Sequence, residues 1–233
     1  MVELSIVLPT FNEAGSIGRF LWALEEVLDT LTLTSEVIVV DDNSPDGTAD
    51  EVREYAKKHP RVRLIVRTED HGLGLSILEG YRAAKGRIFL GMDADFNHDP
   101  VVIRSMLSTL ESAELVVASR FVRGGGMSSA FRQITSWGFN FALRALFGFK
   151  VWDNTSGYYA IAKDKLEKLS PESIYFGYGD YHLRLVWFAQ KKGYRIQEVP
   201  VFYGQRVAGV SKSRFLRMMQ SYFQEAWKLS RDS

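Results

Sequence analysis

The chain has 233 residues, 46% hydrophobic, 24% charged and 13% aromatic, which excludes disordered, collagenous and coiled-coil chains and suits one large domain or two small ones. It has no cysteine, which removes disulfides, thiolate metal sites and a Cys nucleophile and fits a reducing compartment. The net charge of +1 gives no reason to expect nucleic acid, yet Arg120–Lys150 holds five Arg/Lys and no acid, and Gly204–Ser233 holds six against two acids, so local anion handling is expected.

In chain order, Leu4–Leu8 reads as a buried strand, followed by the loop Pro9-Thr10-Phe11-Asn12-Glu13. Ser16–Thr30 has helical spacing in Ile17, Phe20, Leu21, Leu24, Val27 and Leu28. Glu36–Val40 is a second strand ending on Asp41-Asp42. Thr48–His59 is a helix, Arg63–Val66 a strand, Gly74–Ala84 a helix, and Arg87–Gly91 a strand running toward Asp93. This rhythm predicts a parallel sheet with helices on both faces and a ligand site beyond the C-terminal strand ends. Leu115–Ala118 follows as a strand, Gly124–Gly126 as a loop, and Phe131–Phe149 as an aromatic helix. Tyr158–Ala162 and Arg195–Val201 read as strands, Asp180–Lys192 and Arg214–Leu229 as helices. No repeat or linker interrupts the chain, so one domain is expected over 1–233, with a nucleotide half at 1–115 and an acceptor half at 116–233. No apolar run reaches about 18 residues, and Met1 leads almost directly into the first strand without a signal-peptide pattern. The expected location is the cytoplasm.

Asp93-Ala94-Asp95 places two carboxylates two residues apart after an apolar strand, with Asn97 at the same spacing. Alone, such a pair can be solvated loop aspartates; joined by other strand-end acids it suits a hard divalent cation, Mg²⁺ or Mn²⁺. Asp41 and Asp42 stand where a carboxylate can accept from a nucleobase or ribose, whereas Asp46-Gly47-Thr48 reads as a turn and helix cap. His71-Gly72-Leu73-Gly74 is a tight turn or a phosphate-facing loop and matches neither dinucleotide nor P-loop fingerprints. The four histidines show no metal-ligand spacing, although His98 lies close to the aspartate pair.

Taken in order, V-L-P-T-F-N-E (Val7–Glu13), V-V-D-D-N-S-P-D-G-T (Val39–Thr48), R-T-E-D-H-G-L-G (Arg67–Gly74), G-M-D-A-D-F-N-H-D-P (Gly91–Pro100), A-S-R-F (Ala118–Phe121), D-N-T-S-G-Y-Y-A-I (Asp153–Ile161) and E-V-P-V-F-Y-G-Q-R-V-A-G-V-S-K (Glu198–Lys212) resemble the inverting family 2 glycosyltransferases of GT-A fold. Within that family the chain is most similar to the dolichol-phosphate (polyprenyl-phosphate) mannose synthases. The resemblance implies a mostly parallel, Rossmann-like α/β sheet flanked by helices, with a C-terminal amphipathic helix. It implies metal-dependent transfer of mannose from GDP-mannose to a dolichyl or polyprenyl phosphate. Pro9, Phe11, Glu13, Val40 and Asp42 would hold the nucleoside. Asp93, Ala94 and Asp95, with Asn97 in place of the usual Gln, would hold the metal–diphosphate. Arg120 and Arg206 would contact diphosphate or sugar, and Arg132, Ser136 and Lys212 would face the acceptor phosphate.

Several positions depart from the family pattern. Tyr159 stands in place of Arg, Gln205 in place of Asp, and Arg184 falls where the family's F-Q-x-E carries its acid. Gly179-Asp180 resembles the E-D of other family 2 enzymes, so Asp180 is either a base for a hydroxyl acceptor or a helix cap. A UDP-glucose-type donor stays open, as does a sugar-nucleotide-binding regulatory subunit without turnover. Phe131–Phe149 and Arg214–Leu229 are basic and amphipathic; each either covers the sheet or lies in a membrane interface. A lipid-phosphate acceptor requires at least one such element, or a separate anchoring subunit, and implies a peripheral place on the cytoplasmic face of a membrane.

Overall fold

A computed structural model describes residues 2–204 and 215–231. The N-terminal half alternates strand and helix: β1 (Leu4–Thr10), α1 (Ile17–Leu28), β2 (Ser35–Asp41), α2 (Thr48–Ala56), β3 (Val62–Val66), α3 (Leu73–Ala83), β4 (Ile88–Gly91), α4 (Val102–Leu110) and β5 (Leu115–Ser119). The remainder comprises β6 (Gly126–Met127), α5 (Ala130–Phe147), β7 (Tyr159–Ala162), α6 (Lys163–Glu167), α7 (Pro171–Ile174), α8 (Tyr181–Lys191), β8 (Ile196–Pro200), β9 (Phe202–Tyr203) and α9 (Phe215–Arg231). The expected GT-A-like sheet with a C-terminal helix is present. Helix α4, absent from the sequence reading, shows helical spacing in Val102, Ile103, Met106 and Leu110, of which Ile103 and Met106 are buried.

Seven strands form one sheet in the order β3-β2-β1-β4-β7-β5-β8. All neighbours are parallel except β7, which runs antiparallel to β4 and β5. Strand residues alternate between two cores, as a pleated strand buried on both faces must. Ile6, Leu8, Val37 and Val39 pack with α1, α2 and α4, while Val7, Ile38 and Val40 belong to the core that includes residues of α3, α5, α8 and α9.

The reversed strand positions the site. The C-terminal ends of β1, β2, β4, β5 and β8 share one rim, where Thr10 pairs with Asp41 and Ser119 with Pro200. Because β7 is antiparallel, its beginning lies there too, with Tyr159 opposite Gly91 and Val117. The segment Asp153–Gly157 is thereby delivered beside the loops after β4 and β5.

Candidate active site

The loop after β1 is stapled to the loop after β2. Successive N–H groups of Asn12, Glu13, Ala14 and Gly15 donate to Ser44 Oγ, Thr48 Oγ1, Asp46 Oδ2 and Glu51 Oε2 at 2.8–3.0 Å. Asp46 also accepts from Thr48 N and Oγ1 at 3.0 and 2.6 Å, making the turn anticipated for Asp46-Gly47-Thr48. Asp41, fully buried, accepts from Thr10 Oγ1 at 3.0 Å and from Ser44 Oγ at 2.6 Å. This frame presents Phe11, 46% exposed, beside Pro9 and Glu13 on the rim.

Two residues expected to hold a nucleoside behave differently in detail. The Val40 side chain is completely buried in the sheet core, so only its backbone faces the rim. Asp42 reaches the rim, but its Oδ1 accepts from Arg67 Nη1 at 2.5 Å and Ser76 Oγ at 2.8 Å, and its Oδ2 from Gly72 N at 2.7 Å. It braces the His71–Gly74 turn onto β2.

Asp93, Ala94 and Asp95 follow β4. His98 sets their position: its Nδ1 accepts from Asp93 N–H at 2.7 Å, while Nε2 lies 2.7 Å from Tyr203 Oη and 3.1 Å from the Ser156 carbonyl. Only 1% exposed, this ring ties the aspartate loop to β9 and to the loop before β7. Its proximity in sequence hinted at the role; its partners, 58 and 105 residues away, did not. Asn97 donates from its amide nitrogen to Asp95 Oδ2 at 3.0 Å and from its backbone N–H to Oδ1 at 3.1 Å. It steadies Asp95 through its nitrogens, and its amide oxygen takes no part in these two bonds. Among the described residues no cluster of three His, Asp or Glu forms. Two carboxylates remain, Asp93 with its side chain 41% exposed. That hard oxygen pair fits a divalent cation whose other ligands come from diphosphate and water.

Arg120 follows β5 and is buried. Its Nε and Nη2 grip Asp153 Oδ2 and Oδ1 at 2.7 and 2.6 Å, and Nη2 also reaches Thr155 Oγ1 at 2.8 Å. Against the cost of burial, Asp153 drives the guanidinium pKa upward, and Arg120 in turn holds the Asp153 carboxyl below the usual carboxylate range. Such a fork fixes the orientation of the guanidinium and leaves Nη1 outside these bonds. Glu198 accepts from Trp152 and Asp153 N–H at 2.9 and 3.0 Å, and burial pushes its pKa up.

Helix α5 joins this network. Asn140 donates to Thr155 Oγ1 at 3.1 Å and to the Ser136 carbonyl at 3.0 Å, and its Oδ1 accepts from Asn154 N at 2.7 Å. Ser136 and Arg132 lie one and two turns nearer the helix start, with Arg132 exposed and Ser136 half-buried. Asn140, absent from the sequence reading, links them to Arg120. Asp180 precedes α8, but its carboxylate caps no backbone N–H; Oδ2 accepts from Arg184 Nη1 at 3.0 Å. Asp180 thus occupies the N-cap position without the side-chain bond expected of a cap, and its other oxygen, Oδ1, is buried with no hydrogen-bond partner among the described residues. Arg206 and Lys212 lie outside the described residues.

The glycosyl transferase family 2 profile matches residues 5–170, spanning every loop described up to β7. The chain belongs to glycosyl transferase family 2. Within it, the undecaprenyl-phosphate mannosyltransferase of Micrococcus luteus is 34% identical over 212 residues, covering 88% of this chain and 85% of that one. The dolichol-phosphate mannosyltransferase of Pyrococcus furiosus is 30% identical over 218 residues, covering 91% of this chain and 59% of that longer one. The glucosyl-3-phosphoglycerate synthase of Mycobacterium tuberculosis, solved with Mn²⁺, UDP and phosphoglyceric acid, superposes with a TM-score of 0.73 at 20% identity, over 98% of this chain and 78% of that one. That likeness shows the shared fold.

Proposed function

We propose that this family 2 glycosyltransferase moves mannose from GDP-mannose to a polyprenyl phosphate. The observation that carries the reading is the placement of α5. Its outer face exposes Phe131, Ile134, Trp137 and Phe141, while Asn140 on its inner side is bonded into the Arg120–Asp153–Thr155 network. An apolar, lipid-facing stripe thus adjoins an anion-handling centre, as a substrate with a phosphate head and a hydrocarbon tail requires. The relatives named as polyprenyl- and dolichol-phosphate mannosyltransferases support the same substrates.

Asp93 and Asp95 would hold Mg²⁺ or Mn²⁺, which when bound neutralises charge on the departing diphosphate. Pro9, Phe11, Glu13 and Asp42 would line the nucleoside side. Arg132 and Ser136, with Arg206 and Lys212, would hold the acceptor phosphate. Its oxygen attacks the anomeric carbon from the side opposite the donor diphosphate. The new carbon–oxygen bond forms as the bond to diphosphate breaks, GDP leaves, and the configuration inverts. A phosphate monoester is already anionic at neutral pH, so positioning rather than a general base supplies the rate.

Among the described residues no helix is long and apolar enough to cross a membrane. The enzyme would sit on the cytoplasmic face through α5, alone or with an anchoring subunit. Thermal-shift titration with GDP, GDP-mannose, UDP and UDP-glucose, with and without Mn²⁺, tests the donor. A metal-dependent shift with guanine nucleotides, followed by mannosyl lipid from GDP-mannose and farnesyl phosphate, is expected. A uracil-selective shift replaces the donor, and no shift with any of them defeats the reading.

A further inference from the structure

Arg184 is 1% exposed, although it lies near the start of α8 and within reach of the rim. A buried guanidinium persists only when paired and hydrogen-bonded. Here Nε donates to the Ile174 carbonyl at 2.8 Å and Nη2 to the Phe176 carbonyl, and the guanidinium carbon stands 3.6 Å from the centroid of the Phe176 ring. Nη1 is shared by Asp180 Oδ2 at 3.0 Å and Glu225 Oε1 at 2.9 Å. One side chain therefore closes the segment from Ile174 to Asp180 and fastens it to α9. A second contact lies one turn away: a Cβ at Gly179 would stand 2.0 Å from Tyr222 Oη, so only glycine admits α9 at this distance. At its other side the segment meets the donor half, where Gly177 O accepts from Gly74 N at 3.1 Å and a Cβ on Gly74 would fall 2.7 Å from the Phe176 backbone.

The segment turns Phe176 and Tyr178 outward, 43% and 52% exposed. Its end adjoins the elements read as the acceptor side: Tyr181, next after Asp180, donates its hydroxyl to the Gly157 carbonyl at 3.3 Å in the loop before β7, and Tyr222 of α9 faces Phe139 of α5 at a ring distance of 6.4 Å. Helix α9 in turn packs Phe223 and Trp227 on Phe147 of α5, at ring distances of 5.0 and 6.3 Å, and leaves both partly exposed on the side of the lipid-facing helix.

We propose that Arg184 is a positioning residue for the lipid-phosphate acceptor, acting with Glu225 of α9 to hold the Tyr175–Asp180 segment in its working place. The proposal rests on the lipid-phosphate reading above. Besides the Gly74–Gly177 bond the donor side keeps anchors of its own, since Asp42 holds Gly72 and Arg67, so the larger effect belongs to the acceptor.

The test compares wild type, Glu225→Gln and Arg184→Lys with GDP-mannose as donor and farnesyl phosphate in detergent micelles as acceptor. Glu225→Gln replaces one charge-assisted bond on a partly exposed helix and is expected to fold. It should raise KM for farnesyl phosphate about tenfold, while KM for GDP-mannose and the nucleotide-induced thermal shift stay at wild-type values. Arg184→Lys keeps the charge but loses the fork to the two carbonyls, and should raise the acceptor KM further. A merely structural role would lower Tm and kcat with both KM values unchanged, and that result overturns the proposal. Equal rises in donor and acceptor KM also overturn it. If wild type makes no mannosyl lipid, the lipid-phosphate reading falls and the acceptor role falls with it; if wild type transfers and neither variant moves the acceptor KM, only the role of Arg184 falls.

Discussion

At the scale of single residues, the rim contains two kinds of carboxylate. Asp153 is fully buried and gripped by Arg120, whereas Asp95 is half-buried and bonded to its neighbour Asn97. Removing one member of a buried pair leaves the other charge uncompensated, at a cost of about 3–5 kcal/mol. Asp153→Ala should therefore lower the unfolding free energy measured by urea denaturation by an amount of that order, and an unchanged value would show that Arg120 finds another partner. Asp95→Ala should leave the urea midpoint close to wild type yet lower kcat by at least about a hundredfold, because charge stabilisation at a leaving group is worth that much. Full transferase activity in this variant would remove Asp95 from the metal–diphosphate role. The sequence motifs located both aspartates. They did not distinguish them, because burial depends on Arg120, which lies 33 residues from Asp153 in the chain.

At the scale of elements, α5 shows what periodicity cannot decide. Its apolar residues occupy more than one face: Leu143 and Phe147 are buried, Phe147 against Phe223 and Trp227 of α9, while Phe131, Ile134, Trp137 and Phe141 are exposed. The sequence reading offered sheet cover or membrane contact; the inner face is covered largely by α9, and the outer face is open. Trp137 and Phe141 stack at 5.5 Å on the outer face. Burying each aromatic in lipid is worth about 1.5–3 kcal/mol. The double variant Trp137→Ser, Phe141→Ser should therefore bind anionic vesicles at least about a hundredfold more weakly in a co-sedimentation assay. Its Tm should hold, since neither side chain belongs to the core. Vesicle binding equal to wild type would move the membrane contact elsewhere.

At the scale of the whole molecule, strand runs and strand-end acids made the parallel half and its rim legible from the sequence. The direction of β7 was not legible, because a four-residue strand with three buried residues carries no sign of orientation. Its reversal brings Asp153 beneath Arg120 and surrounds His182 of α8 with Tyr159, Tyr181 and the Asp153–Arg120 pair. Neither ring nitrogen of His182 has a hydrogen-bond partner among the described residues, and burial pushes its pKa down to about 4. In the unfolded chain a histidine titrates near 6.5. Between these values the unfolded state binds a proton that the fold refuses, so stability is full above about pH 6.5 and falls as the pH drops toward 4, by up to about 3 kcal/mol. The neighbouring acids do not imitate this. The lowered pKa of Asp153 matters only below the ordinary carboxylate range, and the raised pKa of Glu198 works in the opposite direction, since its protonation on acidification relieves the cost of burial. Urea unfolding of wild type and His182→Phe between pH 7 and 5 should accordingly give a falling stability for wild type and a flatter profile for the variant, and parallel profiles would show that the acid sensitivity arises elsewhere.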